Sequence, residues 1–119
     1  MFGTMYKQRE IVLVPFPYLD LSSSKRRPVL IISNDDYNRN FDDVVVCVIT
    51  SNRQLDSYAI SLETQDLEMG IMPESSVVKV HKLFTIAQSQ IIRKFSIVQS
   101  DFFDKIIDKI NALVSNKYG

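Results

Sequence analysis

The sequence predicts a mainly β fold closed by one C-terminal helix, built as a small barrel or a strongly bent sheet. Three observations predict it. Short runs rich in Val and Ile recur along the first two thirds of the chain, each bounded by Pro or a polar cluster. The connections between these runs are short, which favours strands that are neighbours in space. From Asp101 onward the apolar residues change to helical spacing.

Ile11–Phe16 is the first run, and Pro15 and Pro17 end it or hold it at an edge, because Pro supplies no N–H to a ladder. Pro28–Ser33 (PVLIIS) is the second and Val44–Thr50 (VVVCVIT) the third. Between them, NDDYNRNFDD reads as turn chemistry, since Asn and Asp bond their own backbone and tolerate left-handed conformations. Ser57–Leu62 (SYAISL) alternates weakly, and Val77–Leu83 (VVKVHKL) alternates better, with Val78 and Val80 on one face and Lys79 and His81 on the other. That makes five strands. Phe84–Phe95 is ambiguous, with a short helix expected around Ser89–Arg93. In the final helix Phe103, Ile106, Ile107, Ile110, Leu113 and Val114 form one stripe, with Ser100 as N-cap and Asp101 at the positive end of the dipole.

The chain has 119 residues and shows no repeat, linker or composition break, so a single domain over residues 1–119 is expected. No apolar run approaches the roughly 20 residues of a membrane helix. The N-terminal MFGTMYKQRE has no apolar core of a signal peptide, and Cys47 is the only cysteine, so a cytoplasmic protein without membrane contact is expected. Formal net charge is zero, from 14 Lys+Arg and 14 Asp+Glu, which argues against gripping duplex DNA by bulk charge. The charge is uneven, however. Residues 40–76 hold Arg53 as their one cation against seven acids, whereas residues 77–119 hold seven cations against three acids. Two basic ends folded onto one face suit a local anionic ligand; a mixed solvated surface is the equal alternative.

The residue types exclude several chemistries. Zinc wants several Cys or His ligands and the chain has one of each. Asp35–Asp36 and Asp42–Asp43 read as surface turns rather than a hard-cation site, so no metal and no cofactor is expected. Cys47, inside a strand, should be buried with a raised thiol pKa, unsuited to attack. Ser22, Ser23 and Ser24 have His81 as the only histidine to activate them and read as a flexible loop. His81 itself, beside Lys79 on a polar face, reads either as a phosphate contact or proton shuttle, or as an exposed strand histidine without a role.

Lys25, Arg26 and Arg27 are packed against Pro28 at the start of the second run. Arg presents a permanently charged planar fork suited to phosphate oxygens. Arg27 opens the second strand and Thr50 closes the third, so antiparallel neighbours would bring a guanidinium and a hydroxyl to one rim. Such a pair clamps a phosphodiester: the cation neutralises developing charge and the hydroxyl fixes an oxygen. Arg before Pro and Thr at a strand end are also common without any such role.

IVLVPFPYLDLSSSKRRPVLIIS, the later VVVCVITSN and the still later SSVVKVHKLFTI together resemble the MazF/PemK family of toxin endoribonucleases. The resemblance runs from about Glu10 to the C-terminal helix, and its most specific parts are the Arg-Pro opening strand two and the Ile-Thr-Ser closing strand three. It implies an SH3-like β-barrel with a C-terminal helix, assembled as a homodimer. It implies metal-independent cleavage of single-stranded RNA, typically mRNA, by 2′-OH attack on the adjacent phosphate, giving a 2′,3′-cyclic phosphate and a 5′-OH. It implies a cognate antitoxin whose extended tail fills the RNA groove. Arg27 then matches the catalytic arginine and Thr50 the catalytic threonine. Ser51 matches the residue beside it, Lys25 and Arg26 border the RNA groove, and Phe16 offers a base-stacking face.

Four positions depart from the family pattern. Arg9-Glu10 stands where Gly-Asp is usual, and Asn52 where glutamine is common. SSSKRR lacks a glutamate found in some members, and His81-Lys82-Leu83 replaces an Asp-Lys-Leu. Arg essentially never deprotonates, so the safer role for Arg27 is electrostatic, with proton removal shared with His81, water or another group. A non-catalytic module of the same fold, binding RNA or a protein target such as gyrase, is the alternative; the joint presence of Arg27 and Thr50 favours the enzyme.

Overall fold

The computed structural model describes residues 6–15, 26–52 and 56–116. Its strands are β1 (Glu10–Pro15), β2 (Arg26–Ile31), β3 (Asp43–Thr50), β4 (Ala59–Leu62), β5 (Ser76–Ala87) and β6 (Arg93–Ile97). They form one sheet in the order β4-β5-β3-β2-β1-β6, with every neighbouring pair antiparallel. Helix α1 (Asp35–Asn40) links β2 to β3, and helix α2 (Ser100–Val114) ends the described chain. No helix among the described residues is long and apolar enough to cross a membrane.

The central strands read as continuous apolar runs because both faces of the sheet are covered. One core joins Leu30, Cys47, Ile49, Val78 and Val80 to Phe102, Phe103 and Ile106 of α2. The other joins Val12, Val14, Val29, Ile31, Val44 and Val46 to Ile86 and Ile91. The expected helix stripe is thus seated at its N-terminal half, with Ile107 and Ile110 packed at its margin and Val114 72% exposed.

The curl of the sheet has an identifiable cause. Cys47 pairs with Leu83, but the next residue, Val48, pairs with Lys79, so Val80, His81 and Lys82 form a bulge on β5. Extra residues on one strand bend it and increase its twist. The bulge also exchanges the faces: Val78 and Val80 enter the first core, whereas Phe84 and Ile86 enter the second. Beyond β4 the chain returns toward the opposite edge. Glu68 N–H donates to Ile97 O at 2.8 Å, Gln99 N–H donates to Asp66 O at 2.8 Å, and Leu67 bridges Val98. The result is the expected curled, mainly β fold with a C-terminal helix.

Four sequence expectations are corrected. The sheet has six strands, because Arg93–Ile97 pairs with β1; the helix expected around Ser89–Arg93 is instead a single 3-10 turn at Gln88–Gln90 leading into β6. The NDDYNRNFDD segment contains helix α1 rather than a turn alone. Asn34 caps it by accepting from Tyr37 N–H at 2.7 Å, Asp35 and Asp36 occupy its first turn, and Tyr37 stacks on Phe41 at 4.3 Å. The cap position of α2 is Gln99, with Ser100 already helical.

Candidate active site

The site is built by strand register. On β1, Val14 stands opposite Arg27 and Pro15 opposite Arg26. Val29 stands opposite Val48, Leu30 opposite Cys47 and Ile31 opposite Val46. Continuing that register two residues toward the strand ends sets Arg27 opposite Thr50, on one face because cross-strand partners share a face. The sequence expectation that these two converge is therefore what the topology produces.

Arg26, Arg27, Thr50 and Ser51 line one pocket of about 220 Å³. Its apolar part comes from Leu13, Pro28, Ile49 and Phe95, and the Met72-Pro73-Glu74 segment and Ser76 complete it. Arg27 is half-buried and Arg26 exposed, and neither guanidinium has a carboxylate partner among the described residues. Thr50 Oγ1 accepts from Asn52 N–H at 3.1 Å. That bond orients the hydroxyl and leaves its proton available to an incoming oxygen. An apolar wall behind two cations without a carboxylate partner among the described residues strengthens their pull on an anion.

A second pocket, of about 500 Å³, adjoins the first at Thr50 and carries His81, Lys79, Lys82, Asn52 and Asp56. His81 is half-exposed, and its ring lies 5.8 Å from that of Tyr58. Lys79 Nζ donates to Asp56 Oδ2 at 3.1 Å. Asp56 is held below the usual carboxylate range, first by the Tyr58 backbone N–H and then by Lys79. Cys47 is fully buried and its thiol is pushed up to about 12 by desolvation, as expected for a packing residue rather than a nucleophile.

The structure thus brings Arg26, Arg27, Thr50, Ser51 and His81 to two adjoining pockets. Lys25 and Phe16 lie outside the described residues. Sequence reasoning missed Phe95 and the Met72-Pro73-Glu74 wall. Phe95 belongs to the strand that the sequence did not separate, and Met69-Gly70-Ile71-Met72-Pro73, an apolar stretch in a loop with Ile71 74% exposed, was the signal for the second. Among the described residues no group of three or more His, Cys, Asp and Glu could hold a metal ion.

Residues 7–114 match the family of PemK-like, MazF-like toxins of type II toxin–antitoxin systems. The fold is similar to an endoribonuclease from a mycobacterial species solved with its cognate antitoxin, at 19% identity and TM-score 0.74, over 90% of this chain and 92% of that one. It is also similar to MazE–MazF from Deinococcus radiodurans (18% identity, TM-score 0.73, 92% and 95% covered). The Mycobacterium tuberculosis toxin MazF-mt6 is a third neighbour (18% identity, TM-score 0.69, 87% and 93% covered). No curated protein matches the sequence.

Proposed function

The chain belongs to the PemK-like, MazF-like toxin family of type II toxin–antitoxin systems, and from that premise we propose that it is an endoribonuclease toxin acting on single-stranded RNA. The observation that carries the reading is that Arg27, at the start of β2, and Thr50, at the end of its antiparallel neighbour β3, line one pocket. The scissile phosphate sits between them. The ribose 2′-OH attacks the adjacent phosphorus, forming the 2′-O–P bond as the P–O5′ bond breaks, and leaves a 2′,3′-cyclic phosphate and a 5′-OH. Arg27 stays charged throughout and stabilises the extra negative charge of the pentacoordinate phosphorus. Thr50, oriented through Asn52, donates to a non-bridging oxygen. The 2′-OH proton leaves to water at the open pocket, and the 5′-oxygen takes a proton from solvent. The step needs no metal.

Arg26 and Ser51, lining the same pocket, together with Lys25 and Phe16, hold the RNA on either side, with His81 contributing from the adjoining pocket. Regulation is by a cognate antitoxin whose extended tail fills the same groove. The working form is a homodimer of a single toxin domain over residues 1–119, acting on mRNA in the cytoplasm.

The test is incubation with long single-stranded RNA in excess EDTA. Discrete fragments ending in 2′,3′-cyclic phosphate are expected. RNA left intact at high protein concentration would refute the enzyme reading and favour the binding module.

A further inference from the structure

The pocket beyond Thr50 takes no part in the bond making and breaking just described, and what its residues would hold on the RNA has not yet been assigned. Its polar walls are Thr50 at the end of β3, Asn52 just after it, Asp56 before β4, and Lys79, His81 and Lys82 of β5. The charges there are unequal in availability. Lys79, whose side chain is 12% exposed, is committed to Asp56. Lys82 is exposed and has no carboxylate partner among the described residues. Among the described residues, Lys82 is therefore the cation of this pocket that no carboxylate holds.

His81 is set to add a donor. Its Nδ1 is buried and has no hydrogen-bond partner, so Nε2 is the ring nitrogen open to the pocket. A buried N–H without an acceptor is rarer and costlier than an unused lone pair. The neutral ring thus keeps its proton on Nε2, where it faces a ligand as a donor. The Tyr58 ring, tilted 51° against the imidazole, holds the plane of that donor.

Register gives the spacing. Thr50 stands opposite Val77 and Val48 opposite Lys79, so Lys79 lies two residues, roughly 7 Å, along β5 on the face that Thr50 shares. His81 follows within the bulge, before Leu83 stands opposite Cys47. His81 and Lys82 are thus displaced along the sheet from the Arg27–Thr50 pair while lining a pocket that Thr50 also lines, a placement that suits a neighbouring position on the same RNA strand.

We propose that this pocket is a second phosphate subsite, in which His81 through Nε2–H and Lys82 through its ammonium hold a backbone phosphate flanking the one that is cut. The proposal rests on the endoribonuclease reading above. A carboxylate at position 81 would repel that phosphate, whereas the imidazole donates to it. Asp56 does not oppose the binding, because Lys79 and the Tyr58 N–H already satisfy it.

The experiment begins with the cleavage site found on a wild-type digest. An oligonucleotide with 2′-deoxyribose at that site cannot be cut, and its neighbouring phosphates are replaced one at a time by neutral methylphosphonate. Binding is measured for wild type, Lys82→Ala, His81→Ala and His81→Gln. At one flanking phosphate the neutral replacement weakens wild-type binding by about tenfold or more, the worth of a charge-assisted hydrogen bond. Lys82→Ala and His81→Ala weaken binding of the unmodified strand and lose most of their sensitivity at that phosphate, while His81→Gln, which keeps a donor, retains part of it. Variants that bind as wild type does, or that keep full sensitivity at every phosphate, overturn the subsite while leaving the cleavage reading intact. A wild-type protein that neither cuts nor binds RNA overturns both.

Discussion

Arg9 occupies a position that ordinarily belongs to glycine. Its φ is 78°, in the left-handed region, and its backbone is pinned there: its N–H donates to Ile31 O at 3.0 Å and its carbonyl accepts from Val98 N–H at 3.0 Å. A side chain in that conformation costs about 1–2 kcal/mol. The guanidinium offsets the cost. Nη1 donates to Val98 O at 2.8 Å and to Glu68 Oε2 at 2.7 Å. The bond to the half-buried carbonyl is worth roughly 1.5–3 kcal/mol, as a hydrogen bond from a charged group. The pair with Glu68, whose side chain is 43% exposed, adds only about 0.2–1 kcal/mol. Arg9→Gly removes both strain and bonds and should cost about 1 kcal/mol. Arg9→Ala removes the bonds and keeps the strain, and should cost about 2–3 kcal/mol. Glycine should therefore be the more stable of the two variants by about 1 kcal/mol, the reverse of the ordinary helix or strand position. Urea unfolding at one fixed protein concentration reads this directly from midpoints with unchanged slopes. An Arg9→Ala variant as stable as Arg9→Gly would refute the account of this residue.

Other consequences are as specific. Cys47 has a folded pKa raised from the ordinary 9.0 to about 12, so its contribution to stability is intact below pH 9 and is lost as pH rises from 9 toward 12. Wild type should lose about 1 kcal/mol more than Cys47→Ala between pH 8 and 10, and alkylation of the native thiol should be as slow as unfolding; fast labelling at neutral pH would contradict the burial. Ile106, fully buried between α2 and the sheet, should cost about 2–5 kcal/mol on truncation to Ala, measured by thermal or urea unfolding. RNA cleavage at limiting substrate should fall steeply between low and physiological salt, because a chain of zero net charge depends on its local cations for attraction. A flat salt response would count against that dependence.

The parts of the fold legible in the sequence were those where one physical signal dominates. The runs Pro28–Ser33 and Val44–Thr50 read as strands by their β-branched content, and the antiparallel pairing of β2 and β3 brings Arg27 and Thr50 to one pocket. β6 was not legible, because Arg93-Lys94-Phe95-Ser96 has two exposed cations and pairs only at a sheet edge, so it carries no apolar run. The bulge at Val80–Lys82 was hidden for a different reason: it is set by the length of β5 relative to β3, a tertiary matter, although it exchanges the faces of the strand. Helix α1 lost to turn chemistry because Asn and Asp serve equally as turn formers and as helix caps. In the site, Arg26, Arg27, Thr50 and Ser51 were legible by type and by their places at strand ends. Phe95 and Met72, which line the pocket from elements distant in sequence, were not.

The central claim is that Arg27 and Thr50 act on one phosphate as a unit. A double-mutant cycle in single-turnover RNA cleavage, with Arg27→Ala, Thr50→Val and the pair, tests it most directly. Each single change should slow cleavage by about 100-fold or more, the usual consequence of removing one group that stabilises transition-state charge. The double variant should be little slower than the worse single, because groups that act together are lost together. Either single variant cutting at the wild-type rate, or losses that simply multiply, would contradict the account.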